Sequence, residues 1–354
     1  MIIHSRIKDY CLKILPDFSG LSSLFGDSVS FYVVDRKVYG LYPVLFSSIE
    51  QNRLFLLDAV ESEKTIDTAL EICERMTSLR AKRNARLISF GGGITQDITG
   101  FAANILYRGI HWTFVPTTLL AACDSCIGGK TSLNYKGYKN LLGTFYPPEE
   151  IFICSQFFQT LSEGDFLSGL GEVAKFNFLK GEAGTSDLEN SLEALLRRDP
   201  PTVNRFVESS LVYKKAYIEE DEFDQGVRVF LNFAHTFGHA IETASAYVIP
   251  HGTAVAMGMI TANRVSVSRG MLSESSALRM EKTLSKIIPT TAFHANLVPD
   301  RLLAAIKNDK KQIDSSITAI LMDEQYKLSV VHDVQPQEVR TAFFDCMNAA
   351  ASRR

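Results

Sequence analysis

The 354-residue chain predicts an α/β domain with a mainly parallel sheet over residues 1–155, followed by a mostly α-helical domain over residues 156–354. Three observations predict it. Short apolar runs alternate with helical patterns in the first half, strand signals fade beyond about residue 155, and a triple-glycine turn directly follows one apolar run. Such alternation marks parallel strands joined by crossover helices.

The runs at 29–34 (VSFYVV), 53–60 (RLFLLDAV), 85–90 (ARLISF) and 112–116 (WTFVP) read as strands, and segments 65–80 and 97–107 as helices. Helical patterns then fill 163–180, 203–221, 229–247, 253–270 and 273–287, before an apolar run, ITAILM, and a closing amphipathic helix. Hydrophobic content of 46% and charged content of 22% are those of a globular protein. The apolar runs are broken before membrane-spanning length and MIIHSRIKDY has no secretory pattern, so no membrane partner is expected. Six scattered cysteines predict reduced thiols in a cytoplasm. A net charge of -3 argues against a nucleic-acid partner but leaves room for a basic pocket that takes a small anion.

Residues 88–103, ISFGGGITQDITGFAA, place glycines between a strand and a helix. Gly92 and Gly93 would let the backbone approach a pyrophosphate, whose charge suits the following helix N-terminus. The bland alternative is a tight turn, with Asp97 merely favoured in the first helical turn. Asp35 ends the strand FYVVD, a usual position for an acid that bonds a ribose hydroxyl. Thr117 and Thr118 add two hydroxyls at another strand end. Three such features at strand C-termini point to a dinucleotide.

Cys123 and Cys126 match C-x-x-C, but no second pair follows to complete a four-thiolate zinc site. The GGK at 128–130 lacks the first P-loop glycine, because alanines stand there. What remains is a Gly-rich loop carrying Asp124, Lys130, Asn134, Lys139 and Asn140, which suits a phosphorylated or carboxylated ligand unless it is a solvated basic loop. Downstream, GLGEVAKF puts Glu172 and Lys175 on one helical face among apolar neighbours. Arg228, Asn232, His235 and His239 fall at offsets 0, 4, 7 and 11. At about 100° per residue they are expected to share one helical stripe roughly 60° wide. His251 follows in a Pro-His-Gly turn. Glu172, His235 and His251 would complete a three-ligand zinc set with open positions, with His239 a candidate fourth ligand, the bland alternative for any single histidine being a satisfied core residue. The adjacent Glu of a zinc protease's H-E-x-x-H is absent.

Taken in order, GGGITQDITGF, YRG, VPTTLLA, DSCIGGKTSLN, KNLLGTFYPP, GLGEVAKF, GVRVFLNFAHTFGHAIE, HGTAVAMGM and NDKK resemble the 3-dehydroquinate synthase family of sugar-phosphate cyclases across residues 30–315. The resemblance implies a Rossmann-like NAD-binding domain, a helical metal-binding domain that carries zinc (cobalt being the alternative), and a homodimer. It implies zinc on Glu172, His235 and His251. Substrate and phosphate contacts fall on Asp124, Lys130, Asn140, Lys175, Lys214, Arg228, Asn232, His239 and Lys310 (or Lys311), with Arg108 reaching the neighbouring subunit. NAD contacts fall on Asp35, Glu61, Lys64, Gly92, Gly93, Asp97, Thr117, Thr118 and Lys139.

The implied activity is 3-dehydroquinate synthase, in the shikimate route to aromatic amino acids. It converts the small-molecule sugar phosphate 3-deoxy-D-arabino-heptulosonate 7-phosphate to 3-dehydroquinate and phosphate. The steps are transient NAD-mediated oxidation, phosphate elimination, reduction and an intramolecular aldol closure. Other readings are a cyclase for sedoheptulose 7-phosphate or a hexose phosphate, and an NAD- and metal-dependent polyol dehydrogenase. The chain departs from the family at Gln96 and Ala234 (usually Gly), at Cys126 and across Thr131–Asn134, and FNFLKG replaces the usual sequel to the Glu/Lys helix. Lys214, Arg228 and Asn232 keep the dehydroquinate-type identities.

Overall fold

A computed structural model describes residues 1–294, 297–307 and 316–351. They form two compact units: Met1–Leu161 with Val203–Phe223, and Ser162–Thr202 with Asp224–Arg354. The sequence reading placed one break after residue 155. The structure breaks at Leu161/Ser162 and returns 203–223 to the first unit. Local bonds explain the return. Glu219 and Glu222 accept the backbone N–H groups of His4 and Arg6, each at 2.7 Å, and Phe223 packs edge-on against Phe145.

The first unit runs β1 (Ile2–Ile3), β2 (Tyr10–Leu15), β3 (Ser30–Asp35), α1 (Arg36–Leu41), β4 (Leu54–Leu57), α2 (Ile66–Ser78), β5 (Arg86–Gly91), α3 (Gly93–Ile105), β6 (His111–Pro116), β7 (Lys130–Tyr135), β8 (Tyr138–Phe145) and β9 (Glu150–Cys154). Seven strands make one sheet in the order β1-β2-β9-β6-β5-β3-β4, parallel except for the β1–β2 pair. Val33, Val34, Ile88, Phe90, Phe114 and Val115 are fully buried, as expected of parallel strands covered on both faces.

Sequence periodicity missed β1, β2 and β9, and also the β7–β8 pair, which was read as a loop. Lys136 and Gly137 carry positive φ of 49° and 82° and close β7–β8 as a two-residue hairpin of the primed type. The strand expected over 53–60 stops at Leu57, and α3 begins at Gly93 rather than at 97, so Asp97 lies in its second turn.

The second unit contains α4 (Glu163–Leu179), α5 (Glu182–Leu196), the start of α6 (Pro200–Glu220), α7 (His235–Ala244), α8 (His251–Ser268), α9 (Glu274–Leu284), α10 (Pro299–Lys307), β10 (Ile317–Met322), β11 (Leu328–Val334) and α11 (Pro336–Ala351). Helix α4 starts where Ser162 Oγ accepts the Asp165 N–H at 3.1 Å. Every residue of α4 from Phe166 to Leu179 is buried, and so are all but one from Gly252 to Ser266 in α8. Helices buried all round belong at the centre of a core.

Glycines let these central helices touch. A Cβ on Gly171 would lie 2.0 Å from the Gly252 carbonyl oxygen, and one on Gly252 only 1.8 Å from that of Ser168. On the other flank, a Cβ on Gly258 would lie 2.6 Å from the Ala234 oxygen.

The single helix expected over 229–247 is interrupted. Val227–Asn232 forms a 3-10 stretch, Ala234 turns the chain at φ 68°, and the α-helix starts only at His235. A left-handed residue cannot continue a right-handed ladder, so Arg228 and Asn232 do not share an α-helical stripe with His235 and His239. Helix α5 was not anticipated.

Replacing Gly171 or Gly252 by Ala is expected to cost about 2–3 kcal/mol of stability, the usual penalty for forcing atoms into a packed core. Gly164→Ala, on α4 with nothing within 4 Å, should be neutral or gain up to about 1 kcal/mol. Thermal unfolding of the three variants decides; equal midpoints would rule out the close approach.

Candidate functional site

In the second unit Glu172 of α4, His235 of α7 and His251 of α8 bring one ligand atom each to within 4.8 Å of the others, an arrangement that could hold a metal ion. Glu172 is wholly buried. Its Oε1 lies 3.6 Å from His235 Nε2 and 3.4 Å from His251 Nε2, and its Oε2 lies 2.5 Å from Lys175 Nζ. The close contacts described above set this spacing, because Gly171 immediately precedes Glu172 and Gly252 immediately follows His251. The other ring nitrogens are tied back. His235 Nδ1 lies 3.0 Å from the Phe233 carbonyl oxygen, and His251 Nδ1 lies 2.9 Å from Glu242 Oε2. His239, one turn beyond His235, completes a trio of imidazoles with ring centroids 5.3–5.7 Å apart.

Burial works to raise the Glu172 pKa, yet the Lys175 ammonium and His251 overcome it and hold the group ionised. Burial, then the Lys175 charge, pushes His235 well below the ordinary imidazole range, leaving a neutral ring whose Nε2 can donate a lone pair. For His251 burial is outweighed by Glu172 and Glu242, which lift it to about 10. Despite these charges, neither carboxylate oxygen of Glu172 accepts a well-directed hydrogen bond. A buried carboxylate left so is costly. A divalent cation between Oε1 and the two Nε2 atoms would satisfy it, and a carboxylate with two imidazoles is a donor set that zinc accepts.

His251 is the first residue of α8 rather than part of a free turn. Arg228 is buried, while Asn232 and His239 are partly exposed. Sequence reasoning missed Glu242. It lies seven residues after His235 and three after His239, hence on the same face of α7, and that spacing was the available signal. His239, Glu242 and His251 form a second, less buried group with metal-compatible spacing. Lys310 and Lys311 lie outside the described residues.

The first unit gathers another set. Gly91 and Pro116 are register partners at the ends of β5 and β6, and Thr117 N–H donates to the Gly91 oxygen at 2.8 Å. A Cβ on Gly92 would meet the Thr118 methyl at 3.0 Å, so Gly92, Thr117 and Thr118 share one strand-end crevice. Beside it Lys64 Nζ lies 2.5 Å from Asp97 and donates to Asn140 at 2.7 Å. Ser132 bonds both Asp97 and Asn140. Glu61 accepts from Asn134 at 2.8 Å and pairs with Lys139 at 3.5 Å. Burial raises the Asp97 pKa, against the Lys64 charge. Glu61, Lys64, Asp97, Lys139 and Asn140 are thus one network.

Asp35, by contrast, caps α1, its Oδ1 accepting the Lys37 N–H at 2.9 Å. Asp124 holds Lys214 through its carboxylate at 2.6 Å and its carbonyl oxygen at 2.7 Å. Arg108 and Lys130 are exposed, Arg108 on a turn with φ 62°. Gln96 closes a reciprocal pair with Ser125, each bond 2.7 Å long. Burial pushes the Cys126 thiol up to about 12, too high for thiolate chemistry at neutral pH.

The sequence profile of the 3-dehydroquinate synthase N-terminal region matches residues 54–168, and that of its C-terminal region matches 169–312. A 3-dehydroquinate synthase of Clostridium tetani (strain Massachusetts / E88) is 36% identical over 91% of this chain and 87% of its own length. Among solved structures, the 2-epi-5-epi-valiolone synthase of Streptomyces hygroscopicus subsp. jinggangensis 5008, with NAD+ and Zn2+ bound, superposes with a TM-score of 0.85 at 25% identity, covering 98% of this chain and 97% of that one. A 2-deoxy-scyllo-inosose synthase complexed with carbaglucose-6-phosphate, NAD+ and Co2+ shares the fold, with a TM-score of 0.84 at 24% identity over 98% and 99%. The chain belongs to the 3-dehydroquinate synthase family.

Proposed function

We propose that the chain is a 3-dehydroquinate synthase, a phosphate-eliminating carbon–oxygen lyase that turns 3-deoxy-D-arabino-heptulosonate 7-phosphate into 3-dehydroquinate and inorganic phosphate. The observation that carries the reading is the buried Glu172–Lys175 pair facing His235 and His251, in a chain whose relatives of 32–36% identity are named for that reaction. We place zinc, or cobalt, on Glu172, His235 and His251, and NAD on Asp35, Glu61, Lys64, Gly92, Gly93, Asp97, Thr117, Thr118 and Lys139. When bound, the nicotinamide supplies reversible oxidation of a substrate hydroxyl, and the metal supplies polarisation of substrate oxygens.

The chain's own residues do the rest. Lys175 keeps Glu172 ionised and brings a cation to the same buried spot. Arg228, buried and permanently charged, is assigned to the substrate's carboxylate, since the guanidinium fork matches that group. His239 is assigned to the departing phosphate, whose own oxygen takes the proton in the elimination. Asp124, Lys130, Asn140, Lys214, Asn232 and Lys310 keep the substrate contacts that the family resemblance assigns them. The reading includes a homodimer in which the exposed Arg108 serves the neighbouring subunit. It also includes a cytoplasmic location, supported by six free cysteines. Among the described residues no helix is long and apolar enough to cross a membrane.

Phosphate release with NAD and zinc present is the direct test. Activity is expected on the heptulosonate phosphate, with one phosphate per product and no net NADH. Turnover of only sedoheptulose 7-phosphate or glucose 6-phosphate would replace the substrate, and net NADH from a simple polyol would replace the reaction class. Lys175→Ala should lower phosphate release by about 10²-fold or more, the scale of losing a preorganised charge at a reacting centre. Cys126→Ser, in contrast, should stay within about twofold of the parent, because a thiol held protonated has no chemical part to play.

A further inference from the structure

Both proposed imidazole ligands present Nε2 to Glu172 and have Nδ1 tied back, but by different means. For His235 the partner is a backbone oxygen that the fold fixes at 3.0 Å. For His251 it is a side chain, Glu242, at 2.9 Å. Glu242 is largely buried (15% side-chain exposure) and stands on α7, the helix that also carries His235. His251 opens α8, and Glu242 is the side chain that meets its Nδ1.

We infer that Glu242 is a positioning residue: it fixes the tautomer of His251 by accepting from Nδ1–H, which aims Nε2 at the metal. The inference rests on the metal assignment above and extends it outward by one residue. A competing role exists, because Glu242 also belongs to the group with His239 and His251. One imidazole cannot give Nδ1 to a metal and donate Nδ1–H to Glu242 at once. The wholly buried Glu172, whose Oε1 faces the Nε2 atoms of both histidines, places the cation on the Nε2 side. Carboxylates that hold a ligating histidine commonly strengthen metal affinity tenfold or more.

The test is zinc affinity, by chelator competition on the apo protein, together with the visible spectrum of the Co2+ form and the unfolding temperature without metal. Glu242→Ala should weaken zinc by about 10–100-fold and alter the Co2+ spectrum, while still binding one ion per chain. Glu242→Gln, whose amide oxygen can still accept from Nδ1–H, should recover most of the affinity. Unchanged affinity in Glu242→Ala overturns the inference. So does loss in Glu242→Gln as complete as in Glu172→Gln, which would make Glu242 a ligand. If Glu242→Ala fails to fold, the Gln variant decides alone: an affinity within about tenfold of the parent supports positioning, and a larger loss refutes it. A parent protein that binds no zinc sinks the metal assignment itself, a failure distinct from any of these.

Discussion

The structure of the second unit turns on one carboxylate taken wholly out of water. Glu172 sits mid-way along a helix that is buried without a break from Phe166 to Leu179. Burying an isolated ionised carboxylate costs several kcal/mol even after relaxation, so neighbours must supply compensating charge at short range. Lys175 does so from the same helix, one turn on, which needs no tertiary assembly. The two histidines come from other helices, and the approach of His251 requires α8 and α4 to pack with backbone against backbone. Gly171 and Gly252 are the residues that permit this, and each adjoins one member of the cluster. The fold's tightest packing and its most expensive charge therefore coincide. This makes the site sensitive to substitutions that carry no functional group.

The first unit solves a different problem with different means. Asp35, Gly92, Gly93, Thr117 and Thr118 lie at the carboxyl ends of parallel strands, the place where open α/β sheets bind ligands. Charge there is shared through a network: Lys64 faces Asp97 and Asn140, and Ser132 bridges the latter two. Against that background Gln96 is informative. It buries an amide, and burial without partners would be costly. Ser125 satisfies both amide atoms. The same pair pins the segment that bears Asp124, and Asp124 in turn holds Lys214.

Much of this was legible in the sequence because the signals were local. VSFYVV and ARLISF announce buried parallel strands by continuous apolar character. The turn at Gly91–Gly93 announces a strand end, and the Glu172/Lys175 spacing places both on one helical face. Reading failed where geometry depended on a single backbone angle. Ala234 is a good helix former by propensity, so nothing in its type reveals that it adopts φ 68° and divides 229–247. Arg228 and Asn232 therefore stand on a separate 3-10 stretch from the histidines, although His235 and His239 do lie one turn apart on α7. The Lys136–Gly137 hairpin hid for a related reason, since lysine is an uncommon choice at a position with positive φ. Glu242 was harder to read, because its spacing from His235 and His239 shows only a shared face, while its partner His251 stands on the next helix.

His251 is where the fold meets the proposed chemistry. As the opening residue of α8 it stands at the positive end of a helix dipole, which disfavours an imidazolium. Glu172 and Glu242 nevertheless push its pKa well above the ordinary imidazole range. A divalent cation on the proposed ligands would need the Nε2 lone pair, so its binding would compete with a proton there. The carboxylate that would share the ion and the carboxylate that holds the ring are therefore also the two groups that set how strongly a proton competes for it.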